Sequence, residues 1–290
     1  MKMKLAQRLL LGYYKTKLKA IGLVSPRKAA EMAYRIFCTP FAGKMPRKIP
    51  PLFHKAEKIH LQLNGLMIRG FRWVPEHPNG KKILIAHGFS SNAYKFEKYV
   101  QPLKKEGFEV LAFDAPAHGQ SEGKLINAYI YRQALLQAEA LFGPIYGIMG
   151  HSLGGLAASL AFEALPDNQD RKLVLVAPAT ETTRAIDNFF RMIPVTQNVK
   201  QAFTGLIDEL TEHPVSYYSV SRVVRSLHAP VLWIHDRQDT ICPFEDVKPL
   251  LTQDLPHVRF LVTEGLGHSQ VYRDNQICSS IVRFFAGNIS

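Results

Sequence analysis

From residue 81 onward the chain alternates short apolar runs with helical stretches, and this alternation restricts the fold more than any other feature. "KKILIAHG", "FEVLAFDAP", "PIYGIMG", "KLVLVAPA", "APVLWIHD" and "VRFLVTE" read as strands of the buried type. "YKFEKYVQPLKKE", "YIYRQALLQAEALF", "LGGLAASLAFEAL" and "PFEDVKPLLTQ" read as helices between them, and "SQVYRDNQICSSIVRFFA" as a last helix. Parallel strands need long crossovers, which helices supply. The pattern therefore predicts an α/β fold with a mostly parallel sheet and helices on both faces. Ahead of it, "KIHLQL" and "LMIRGFRWV" flank Asn64-Gly65, the strongest short hairpin signal. Ligands of such sheets bind beyond the carboxyl ends of the strands, so unusual residues at those ends are the candidates for chemistry.

The chain has 290 residues, 47% of them hydrophobic, which suits one large domain or a domain with an insertion. Three cysteines, Cys38, Cys242 and Cys278, are too few for a disulfide framework and fit reduced thiols of a cytosolic protein. They show no paired metal-ligand spacing, and no metal or other cofactor is expected. The net charge of +12 is concentrated: residues 1–50 hold twelve Lys/Arg against Glu31, and the remaining 240 residues hold 24 basic against 23 acidic. A nearly neutral body argues against a nucleic-acid partner.

Residues 1–53 are expected to form a basic helical extension. Its opening segment, "MKMKLAQRLLLGYYKTKLKA", is a poor signal peptide because Gln7 and Arg8 interrupt the apolar stretch. No apolar run approaches the ~20 residues of a membrane span. The expected location is cytoplasmic, with two readings of the helix: packing on the flank of the domain, or peripheral contact with an anionic membrane surface. Ser25-Pro26 reads as a capped helix start, and "CTPFAGKMPRKIPP", with four prolines, as an irregular connector.

The strand "PIYGIMG" runs directly into "HSLGG". A strand that turns into a helix within one or two residues crowds its own backbone, and glycine at 150 and 154 lets the turn close. The bend lifts the Ser152 hydroxyl toward the crevice. Leu153 begins the helix, so its N–H is free to face a developing oxyanion. Serine needs a base near neutral pH. His268, in "TEGLGHSQ", follows a strand and sits behind two glycines, which makes it the expected base. His151 is expected to point away and pack on the sheet, and His118 and His87 to serve their loops. Asp239 lies in the turn after "VLWIHD", where it can reach the next loop as orienting carboxylate. Asp236 is the alternative, read as a turn cap, and Glu181 a more distant one. A second oxyanion donor is expected from the Phe89 N–H, with Gly88 allowing close backbone approach.

These residues resemble the α/β-hydrolase superfamily over about residues 54–290. The match rests on "HGF", "FDAPAHGQSEG", "GHSLGG", "HDRQDTICP" and "EGLGHSQ", in the nucleophile–acid–histidine order of that fold. "DAPAHGQSEG" is similar to a loop of esterases, monoacylglycerol lipases and serine aminopeptidase-like members, with Pro116-Ala117 in place of Arg-Gly. The resemblance implies two-step acyl transfer on a small or medium carboxylic ester. Thioesterase, lipase or peptidase activity is open within the enzyme class, and a non-catalytic ligand-binding relative outside it. It also implies a core of residues 54–179 and 227–290, with a small helical lid inserted at 180–226. Phe189, Phe190, Met192 and Phe203 of the insertion either hold the lid's helices in place or line an acyl or aromatic pocket.

Overall fold

The computed structural model describes residues 5–40, 49–166 and 170–288. Its strands are β1 (Glu57–Leu63), β2 (Leu66–Trp73), β3 (Lys82–Ala86), β4 (Glu109–Phe113), β5 (Gly147–His151), β6 (Lys172–Val176), β7 (Val231–Asp236) and β8 (Val258–Thr263). The helices are α1 (Leu5–Val24), α2 (Pro26–Cys38), α3 (Pro51–His54), α4 (Glu97–Lys105), α5 (Ala128–Phe142), α6 (Leu153–Glu163), α7 (Thr182–Met192), α8 (Gln197–Thr211), α9 (Val220–Ser226), α10 (Lys248–Leu251), α11 (Gly267–Gln270) and α12 (Asn275–Ala286). The chain divides into two compact units, one of residues 1–39 with 181–218, the other of 40–180 with 219–290.

The larger unit is the mostly parallel α/β sheet that the alternation predicts. Its eight strands run in the order β1-β2-β4-β3-β5-β6-β7-β8. β1 and β2, and β2 and β4, pair antiparallel, and every other neighbouring pair is parallel. Asn64 and Gly65 both have positive φ, 49° and 79°. That is the two-residue turn whose twist matches a hairpin, and it sets Leu63 opposite Leu66. β1, at the sheet edge, alternates exposed and buried residues, whereas every residue of β5 and β7 is buried. This is the difference between a strand with one wet face and strands covered on both.

One core contains Ile83, Val110, Val174 and Leu232 of the sheet with Tyr99, Leu103, Ile281 and Phe285 of α4 and α12. α5, α6 and α9 pack together, with α6 against β5 and β6. Phe53 of α3 sits edge-on to Phe71, Trp73 and Tyr94, with ring centroids 4.6–4.9 Å away for Trp73 and Tyr94.

Two helices are shorter than their sequences suggest. "PFEDVKPLLTQ" forms a 3₁₀ turn over Phe244–Asp246 and then only α10, because Pro249 lacks the amide a helix continuous from Pro243 would use. The last helix is broken after Arg273. Asp274 takes an extended conformation and accepts the N–H groups of Gln276 and Ile277, restarting the chain as α12.

The smaller unit is helical. Ser25 caps α2 as expected, its Oγ accepting the Lys28 N–H at 3.3 Å. Ala29, Ala30 and Ala33 make a buried small-residue face on α2, which packs on α8. Phe37, Phe189, Phe190 and Phe203 form the aromatic centre of this unit, joined by Tyr34. Most of the proline-rich connector, residues 41–48, lies outside the described residues.

Candidate active site

β5 ends at His151 and α6 begins at Leu153, leaving Ser152 alone to make the turn, at φ 56° and ψ −124°. A non-glycine residue at positive φ costs on the order of 1–3 kcal/mol and persists only where the surroundings over-determine it. The surroundings here are backbone. A Cβ added at Gly150 would lie 2.4 Å from the Gly154 carbonyl oxygen, and one at Gly154 would lie 2.4 Å from the carbonyl oxygens of Ala86 and His87. The glycines are thus required by the packing of α6 against β3 and β5. The Ser152 carbonyl accepts N–H groups from Gly155, Leu156 and Ala179, which pins the elbow from both sides.

The carboxyl ends of β7 and β8 supply the partners. His268 enters α11 behind Gly265 (φ 88°) and Gly267 (φ 58°). Its Nδ1 lies 2.8 Å from Asp239 Oδ2. The other carboxylate oxygen, Oδ1, accepts the Ile241 and Cys242 N–H groups at 2.8 and 2.9 Å. Burial by itself would raise the Asp239 pKa. The His268 hydrogen bond and charge, with the two amides, outweigh it and hold the carboxyl below its ordinary value. Asp236 makes a different set of bonds, accepting from Gln238 N–H, Thr263 Oγ1 and Leu266 N–H. It ties the β7 and β8 loops together and does not face the imidazole. Glu181 is the residue before α7, in the helical unit.

Ser152 lies beside the Asp239 loop, its hydroxyl close to the Cys242 thiol. Among the described residues no hydrogen bond links Ser152 to His268. Such bonds are often long or misaligned before substrate arrives.

On the other side of Ser152, a Cβ at Gly88 would lie 3.0 Å from Ser152 Cβ and 2.9 Å from His151 Nδ1. The loop after β3 therefore runs against the elbow, as the reading of Gly88 requires. Among the described residues, no acceptor takes the Phe89 N–H. Leu153 is the first residue of α6, where an N–H has no partner within its helix.

His87 and His118 hold this loop in place. His87 Nε2 accepts the Ala115 N–H at 2.9 Å, and His118 Nε2 accepts the Ser90 N–H at 3.0 Å. Both rings are neutral by burial, His87 pushed down to about 3. Asp114 completes the brace, its two oxygens taking the Ala93 and Gln120 amides.

One role was not legible in the sequence. His151 is buried, but its ring lies 4.7 Å from the His268 ring and 4.4 Å from Tyr272, and its Nε2 is 3.0 Å from the His268 carbonyl oxygen. Burial lowers its pKa to about 3, so the ring is neutral and donates from Nε2 to that carbonyl. The alternation of side chains along β5 says only that His151 and Ser152 diverge. It carries no sign that the loop 117 residues onward is held by this imidazole. His235 does similar work for the acid loop, bonding the Cys242 carbonyl at 2.8 Å.

Of the four insertion residues weighed as pocket lining, Phe189, Phe190 and Phe203 are buried against one another within the helical unit, and Met192 is 55% exposed. Among the described residues no cluster of His, Cys, Asp and Glu could hold a metal ion, and no helix is long and apolar enough to cross a membrane.

The family described as serine aminopeptidase, S33, matches residues 77–223, just over half of the chain. The chain belongs to this family. The S33 match takes in the Gly88 loop and the Ser152 elbow and stops ahead of Asp239 and His268. A serine hydrolase-like protein of Dictyostelium discoideum is 30% identical over 129 residues, which is 42% of this chain and 36% of that protein. The chain thus matches about a third of the length of that relative. A putative esterase/lipase of Mycoplasma genitalium is 22% identical over 220 residues, 64% of this chain and 81% of the relative. Among solved structures, the Pyrococcus furiosus esterase Pf2001 superposes with a TM-score of 0.63 at 20% identity, covering 86% of this chain and 96% of that one. This S33 family member has the α/β-hydrolase fold of its solved neighbours.

Proposed function

We propose that this S33 family member is a hydrolase, a serine esterase acting on carboxylic esters of small or medium size through an acyl-enzyme. The observation that carries the reading is the 2.8 Å bond from His268 Nδ1 to Asp239, made beside a serine held on a strained strand-to-helix turn. Asp239 fixes the tautomer in which Nδ1 carries the proton, leaving Nε2 as the base. The Ser152 hydroxyl gives up its proton to Nε2 as Oγ bonds to the ester carbonyl carbon. The carbonyl oxygen becomes an oxyanion, held by the N–H groups of Phe89 and Leu153. Each such donor contributes about 3–4 kcal/mol to the transition state. The C–O bond to the alcohol breaks and the alcohol leaves with the proton from His268. Water, deprotonated by His268, then releases the carboxylic acid and restores Ser152. The names of the Mycoplasma and Pyrococcus relatives support ester over amide chemistry.

The test is a panel of p-nitrophenyl esters of graded acyl length beside aminoacyl p-nitroanilides and acyl thioesters. Ester turnover highest at short or medium acyl length, and lost in Ser152→Ala, is expected. Preferred turnover of the anilides or thioesters would replace esterase by peptidase or thioesterase.

A further inference from the structure

We infer that the outward face of α1 binds an anionic lipid bilayer, lying in the plane of its surface. α1 runs for 20 residues, and at 3.6 residues per turn positions 9, 13, 16, 20 and 23 share one face. All five are exposed, and that face carries Leu9, Tyr13 and Leu23, which are 67%, 54% and 75% exposed. The opposite face is the packed one. Leu18 is fully buried, and Gly22 lies so near Val199 of α8 that a Cβ there would be 2.9 Å from its Cγ2. A helix on a folded unit ordinarily turns its polar side to water. Here the water side has an apolar centre with basic flanks: Arg8, Lys15 and Lys19 on one side, Lys17 on the other. The first acidic residue of the chain is Glu31.

Charge complementarity selects the occupant. A second copy of this chain would bring like-charged flanks together. A nucleic acid would meet the lysines and leave Leu9 and Leu23 in water. An anionic bilayer meets both needs, since headgroups neutralise the flanks and the acyl boundary takes the leucines, with Tyr13 at the level where aromatic rings settle. Lysines within the helix and the limits on its apolar length rule out spanning.

The test is sedimentation of the full chain with vesicles of phosphatidylcholine alone or mixed with phosphatidylglycerol. The chain should partition onto the anionic vesicles, less so in high salt. Neutralising Arg8, Lys15 and Lys19 to Gln should weaken partitioning roughly 100-fold, about fivefold per charge. Leu9→Ser with Leu23→Ser should weaken it at constant charge. These side chains are exposed, so circular dichroism should show the fold of each variant unchanged. Absence of binding, or equal binding to neutral vesicles, would overturn the inference. So would a dimer in sedimentation velocity that the leucine variants dissolve, since a second copy would then be the occupant.

Discussion

At the scale of single residues, two aspartates that lie three positions apart are expected to respond differently to substitution. Asp239→Asn should lower kcat/KM for a p-nitrophenyl ester by about 10³- to 10⁴-fold, because the amide no longer selects the working tautomer of His268. Asp236→Asn should leave the rate within a few fold and show mainly in stability, at about 1–3 kcal/mol for a disturbed buried acceptor. The reverse pattern would exchange their roles. His151 offers a subtler test, because it packs against the His268 ring and makes its hydrogen bond to the His268 main chain. His151→Phe keeps a ring but removes the donor to the His268 carbonyl. One such bond is worth about 1 kcal/mol, so kcat should fall about five- to tenfold with KM unchanged. His151→Gln, which restores a donor, should recover part of it. A purely structural ring would instead leave kcat alone in the folded fraction. Ser152, His268 and Asp239 were legible because each stands at a strand end with glycines or a turn around it. The contact of His151 was not, because its partner comes from a loop distant in sequence.

At the scale of elements, two helical glycines make opposite predictions. Gly154 of α6 is pressed onto the carbonyls of Ala86 and His87, so Gly154→Ala must push the helix off the sheet. A loss of about 1–3 kcal/mol, the usual cost of overpacking, is expected. Gly205 of α8 has nothing within 4 Å of where its Cβ would stand. Gly205→Ala should therefore gain about 0.5–1 kcal/mol through helix propensity. Equal effects at the two sites, read from thermal melts, would contradict the packing. The strands were readable because fully covered strands are continuous apolar runs, and the hairpin because only Asn-Gly so readily takes two positive φ angles. The end of the chain was less readable. "SQVYRDNQICSSIVRFFA" has helical composition throughout, and only the capping geometry of Asp274 shows that it breaks. The N-terminal helices were visible, but that α2 would pack on α8 depends on small residues meeting across nearly two hundred positions.

At the scale of the whole molecule, buried neutral histidines set the response to acid. Burial holds His87 and His151 at about 3, against about 6.5 in an unfolded chain. Below 6.5 the unfolded chain takes up protons that the folded one refuses. Stability is therefore greatest above that pH and falls toward 3, by up to about 1.4 kcal/mol per pH unit for each ring. Between pH 7.5 and 5.5 the two together should remove about 3 kcal/mol. Both tryptophans, Trp73 and Trp233, are buried in the larger unit, so their fluorescence in urea follows its unfolding. An unchanged midpoint between these pH values would contradict the burial of those rings. The division into two units could not be read from the chain, because residues 181–218 share a unit with a segment that begins more than 140 residues earlier.

The central claim is that Ser152, His268 and Asp239 act as one device, and the rate of labelling by a fluorophosphonate measures it directly. The intact chain should be labelled fast, with the adduct mapped by mass spectrometry to the peptide carrying Ser152. Labelling should slow by orders of magnitude in Asp239→Asn and His268→Ala and vanish in Ser152→Ala. An adduct on another serine, or equal rates in the intact chain and the Asp239 and His268 variants, would contradict the account.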